Sequence, residues 1–133
     1  EPTAGLDPEE SNRFLNLLAE IAENTIVILS THIVEDISKL CQRTAMLMGG
    51  KIVREGTPQD LIGEVQGRIW RKTIANSELE AHRASHHVIA TRLYGGRTFI
   101  HVLADANPGE GFSPAEASLE DAYFSTLFSG RRA

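Results

Sequence analysis

The sequence predicts an α/β chain: part of a parallel-sheet core over residues 1–65, followed by a small α+β unit over 66–133. Three observations predict it. An amphipathic helix is followed by Thr25 to Ser30, a β-branched apolar run without alternation, and then by a second helix, the order of a crossover onto a buried parallel sheet. Two Gly-Gly pairs, Gly49-Gly50 and Gly95-Gly96, sit between β-prone runs and predict tight hairpins. Between Gly63 and Gly67 the texture changes and a second unit starts.

Each element has a local cause. Asp7 caps the first helix, Pro8 suits its first position and Glu10 stands three residues after the cap. Phe14, Leu17, Leu18 and Ile21 recur at helical spacing, so this face is expected to pack on a sheet, and Asn24 ends the helix. The run from Thr25 to Ser30 is expected to be a central strand covered on both faces. Val34, Ile37 and Cys41 predict a short second helix. Arg43 to Met48 and Lys51 to Glu55 form the first hairpin, and Thr57-Pro58 starts a helix through about Val65.

In the second unit, Arg68 to Ile74 is a candidate strand, and Ser77 with Glu80 has the capping-box spacing of a short helix. His87 to Tyr94 and Arg97 to Leu103 flank the second Gly-Gly pair. Ala104 to Ala117, rich in Pro, Gly, Asp and Asn, reads as a loop. Ser118 and Asp121 cap a last helix whose Leu119, Ala122, Tyr123 and Leu127 share a face, with fraying expected from Gly130. Trp70 and Phe99 are expected in the core.

Composition narrows the function. The net charge is −5 with scattered Lys and Arg, which argues against a nucleic-acid footprint. The apolar runs are too short to span a bilayer, and no secretory signal is expected. The single cysteine, Cys41, excludes an internal disulfide, suits a reducing cytosol and reads as core. A chain of this size buries only about two-thirds of its unfolded surface, so losing part of a sheet would leave it marginal.

The motifs carry the rest. The chain opens on Glu1-Pro2-Thr3-Ala4-Gly5-Leu6-Asp7-Pro8 and, after the apolar run, reaches Ser30-Thr31-His32. A histidine between an apolar strand and a helix falls at the carboxyl edge of a parallel sheet, where open α/β folds bind ligands. Together with Leu40-Cys41-Gln42-Arg43, Gly49-Gly50-Lys51-Ile52-Val53 and Glu55-Gly56-Thr57-Pro58-Gln59-Asp60-Leu61, these segments resemble ATP-binding cassette (ABC) ATPases over about 62 residues. Gln42 departs from the pattern, which commonly has an acidic residue there. Ser118-Leu119-Glu120-Asp121-Ala122-Tyr123-Phe124 resembles the closing helix of an accessory domain on the ATPase subunits of type-2 exporters.

That resemblance implies a partial P-loop NTPase core. Glu1 would be the general base that positions the attacking water, as in phosphoryl transfer generally. Ala4, Gly5, Leu6 and Asp7 would form the D-loop that couples two sites across a dimer, and His32 the switch histidine on the γ-phosphate. ATP and Mg2+ would be bound by the full-length protein, whose preceding Asp would hold the metal. The sequence contains no Gly-x-x-x-x-Gly-Lys-Ser/Thr loop and no Ser-Gly-Gly signature, so this fragment is expected to be inactive alone. The implied partners are a second ATPase subunit (homodimer) and a transmembrane permease, at the cytoplasmic face of the membrane, with no nucleic acid. A soluble cassette ATPase of DNA repair or ribosome regulation is the alternative.

Two expectations concern what lies beyond the motifs. His82, His86, His87 and His101 lack a ligand pattern, so no metal site is expected. The strand at residues 25–30, without its neighbour, would expose unpaired amides, so the chain is expected to self-associate.

Overall fold

The structure, a computed structural model, describes residues 2–132, with the backbone alone for Arg131 and Arg132. The elements run α1 (Pro8–Ala22), α2 (Val34–Leu40), β1 (Thr44–Met48), β2 (Lys51–Gly56), α3 (Pro58–Val65), β3 (Ile69–Ala75), a 3-10 turn (Asn76–Glu78), α4 (Leu79–Ser85), β4 (Val88–Tyr94), β5 (Arg97–Leu103), β6 (Ser113–Pro114) and α5 (Leu119–Arg132). This is a mixed α/β architecture with two antiparallel sheets: β1-β2, and a four-stranded sheet in the order β4-β5-β3-β6.

Both hairpins turn on their glycine pairs, whose positive φ (57° and 75°, then 58° and 79°) suits the turn that twisted strands require. A register shift between Met46 and Leu47 puts a bulge in the first hairpin. The second hairpin packs against β3, with Arg71 opposite His101 and Thr73 opposite Phe99. Within the expected loop, β6 adds a two-residue edge strand to β3.

The main core gathers Met46, Leu61, Val65, Ile69, Ile89, Ala117, Leu119 and Ala122, so residues on both sides of position 65 share one apolar interior. Helix α5 crosses it and touches α2, α3, β1 and β4. A side chain at its Gly130 would meet the Met48 thioether, which would have to swing aside. A smaller cluster of Ile74, Ile100, Val102 and Phe112 fills the other face of the larger sheet.

Four expectations need correction. No parallel ladder is present among the described residues, and residues 25–30 form no strand, with Ile26 and Ile28 each 91% exposed. A strand needs neighbours to take up its amides, and no described element supplies them. For the same reason α1 packs on α2 rather than on a sheet, and leaves Leu17 and Ile21 exposed. The expected capping box of Ser77 and Glu80 is replaced by the 3-10 turn, where Glu78 Oε1 accepts the Ala75 N–H at 3.4 Å. Phe99 is exposed instead of buried, because alternation places it opposite Ile100 on the open face of the sheet. Trp70 is half-buried and donates Nε1–H to the Ala104 carbonyl at 3.0 Å.

Candidate functional site

The N-terminal turn is clamped at both ends. Leu6 N–H donates to the Thr3 carbonyl (3.2 Å), and Gly5 takes φ +79°, a left-handed conformation that glycine adopts without strain. At the far end Asp7 Oδ1 accepts the Glu10 N–H at 2.8 Å, capping α1 as its sequence predicts. At the near end Thr3 Oγ1 donates to Asp36 Oδ2 at 2.5 Å, with both side chains buried. Asp36 lies in the first turn of α2. Ala4, Gly5, Leu6 and Asp7 thus stand exposed on a rigid turn, tied to the helix that follows His32.

His32 is exposed and sits at a bend before α2. The bend is fixed by Thr31, whose Oγ1 accepts the Ile33 N–H at 2.9 Å, and by the Asp36 N–H donating to the Ile33 carbonyl at 3.1 Å. Glu1, expected as the general base, lies outside the described residues. Among the described residues the site offers the His32 imidazole, the Asp7 carboxylate and the turn's exposed backbone. Helix α2 has seven residues and no side-chain cap, and among the described residues no three His, Cys, Asp or Glu side chains are grouped for a metal.

Two further polar clusters lie in the second unit. His101 Nδ1 is 2.7 Å from Asp121 Oδ1, while Asp121 Oδ2 accepts from both N–H and Oγ–H of Ser118 at 3.0 Å. Burial pushes the Asp121 carboxyl up, but the hydrogen bonds from His101 and Ser118 and the attraction of the imidazole outweigh it. Its pKa ends below the ordinary 3.8. This network pins β5 to the start of α5, 20 residues away in sequence. The Ser118–Asp121 half was legible as a cap; the His101 half had no local signal.

The second cluster is His82, His86 and Lys72. His82 Nδ1 donates to the Glu78 carbonyl at 2.9 Å, leaving Nε2 to accept from the Lys72 ammonium at 3.2 Å. Lys72 also stands 5.1 Å over the Phe112 ring. Burial, then repulsion from His82 and Lys72, holds His86 below its ordinary 6.5. The arrangement packs the two imidazoles beside an ammonium and a phenyl ring. Cys41 is half-buried, and burial raises its pKa, so it is no activated nucleophile. Among the described residues, no helix is long and apolar enough to cross a membrane.

No family model matches the chain. It is 36% identical over 89 residues, 66% of its length, to an ABC transporter ATP-binding protein of Methanothermobacter marburgensis, covering 30% of that protein. It is 40% identical over 76 residues, 56% of its length, to the methionine import ATP-binding protein of Oceanobacillus iheyensis, covering 22% of it. Over 109 residues, 81% of its length, it is 27% identical to the daunorubicin/doxorubicin resistance ATP-binding protein of Streptomyces peucetius, covering 31% of it. The last match is long enough to extend well past position 65. The chain spans less than a third of the length of these relatives.

Proposed function

We propose, from the premise that this chain is a relative of the ATP-binding subunits of ABC transporters, that the whole protein binds and hydrolyses ATP to drive a membrane permease. The observation that carries this reading is the Thr3–Asp36 hydrogen bond. It ties the exposed turn of Ala4, Gly5, Leu6 and Asp7 to the helix after His32, as a motor needs when its intersubunit loop must respond to the γ-phosphate. In this reading Glu1 is the general base, His32 touches the γ-phosphate of the substrate, and Ala4 to Asp7 couple the two sites of a head-to-tail homodimer. ATP is taken with Mg2+, held by residues of the whole protein outside this chain. Residues 1–65 belong to the ATPase core and 66–133 to an accessory domain.

Export is the direction we favour. The resemblance of the Ser118 to Phe124 helix to type-2 exporters supports it, as does the long match to a drug-resistance ATP-binding protein. The protein would work at the cytoplasmic face of the membrane, against its permease.

Titration calorimetry tests the reading. This chain alone should release no heat with Mg2+-ATP, whereas the whole protein should bind it in a Mg2+-dependent way. In the whole protein Glu1→Gln should lower turnover by at least about a hundredfold while leaving ATP binding intact. Turnover unchanged by Glu1→Gln and by His32→Ala would sink the assignment.

A further inference from the structure

The four-stranded sheet buries one face and leaves much of the other open. Alternation puts Trp70, Ile74, Ile100 and Val102 on the packed side. The opposite side carries Arg71 and Thr73 on β3, Phe99 and His101 on β5, and Arg92 and Tyr94 on β4, aligned by the register. Helix α5 covers only one end of it, and the remainder is a groove of about 1380 Å³. Arg71 and Arg92 are exposed, and neither takes part in the ion pairs among the described residues. Between them Phe99 is 43% exposed, and Tyr94, towards the hairpin end, is 77% exposed. His101 forms the wall nearest α5, its ring held by Asp121.

We propose that this groove docks a peptide segment of a partner protein in which two carboxylates flank an apolar side chain. Arg71 and Arg92 take the two acids and Phe99 takes the apolar group. The charge of the lining selects an anionic occupant, because two unpaired guanidiniums bracket an apolar floor. Its geometry selects two acids rather than one. β3 and β4 lie on either side of β5, so the arginines stand on the order of 10 Å apart, beyond the reach of a single carboxylate or phosphate. A polyanion is disfavoured, since the groove contains the exposed Glu120 and the chain as a whole carries −5.

Fluorescence anisotropy on this chain tests the proposal with a labelled octapeptide that carries one glutamate on each side of a central leucine and no other charged side chain. Binding should weaken with added salt, and an equivalent lysine peptide should not bind. Arg71→Gln combined with Arg92→Gln should weaken binding by roughly tenfold or more, and Phe99→Ala should weaken it with little change in salt dependence. Glu120→Gln, which removes the exposed opposing charge and leaves the Asp121 carboxylate bonded to His101, should tighten it, and this arm decides the matter if the arginine variant melts early by circular dichroism. Three results overturn the proposal: no binding of the acidic peptide, binding indifferent to these substitutions, or stronger binding of a short oligothymidylate or of phosphatidylserine vesicles.

Discussion

Thr3 withdraws a hydroxyl from water because Asp36 accepts it, and the pair bridges 33 positions of sequence. A buried carboxylate that loses its donor bears its full desolvation cost, so Thr3→Val should destabilise the chain by about 1–3 kcal/mol in urea titrations. Asp36→Asn keeps an acceptor oxygen and should cost less than Asp36→Ala. Asp121 supplies a pH-dependent counterpart. Its folded pKa is depressed below 3.8, so its contribution is complete above that value and fades as the pH falls through the lower folded value. Melting temperatures should therefore drop on acidification below about pH 4, and in Asp121→Asn that part of the drop should disappear. At this scale the sequence was half legible. Caps announce themselves by a three-residue spacing, as at Asp7 with Glu10 and Ser118 with Asp121. Thr3 with Asp36 and His101 with Asp121 are set by tertiary contact, and no local pattern encodes them.

Helix α3 and the hairpins, governed by their own residues, came out as the sequence predicts, and residues 25–30, governed by neighbours, did not. Helix α3 belongs to the first kind. Thr57 Oγ1 accepts the Asp60 N–H at 3.1 Å, Asp60 Oδ2 accepts the Thr57 N–H at 3.2 Å, and Pro58 takes the first helical position. Thr57→Ala should lower stability by about 1 kcal/mol, read as a shift of the thermal midpoint. The two hairpins are of this kind too, since Gly-Gly dictates the turn and the turn dictates the pairing. Residues 25–30 are of the second kind. Their β-branched, apolar composition announces a buried strand correctly as a preference, but pairing is a property of adjacent strands. Phe99 failed for a related reason: whether one face of a sheet is covered depends on how far α5 extends over it, and alternation alone cannot say.

For the molecule as a whole, the uncovered apolar surface has a direct outcome. Ile26 and Ile28 are exposed on a segment without strand pairing among the described residues, and Leu17 and Ile21 of α1 are exposed as well. Sedimentation at micromolar concentration should show dimers or larger species, and Ile26→Lys with Ile28→Lys should shift the chain towards monomer. A sharp monomer boundary for the unmodified chain would contradict this. The larger interior acts in the opposite sense, joining rather than exposing. Leu61 before position 65 and Ile69 after it are each 1% exposed within one cluster, which α5 seals from the far end of the chain. A protease nick at Gln66 should accordingly leave two pieces that still travel together, and deuterium uptake at Leu61 and Ile69 should report a single opening event in place of two.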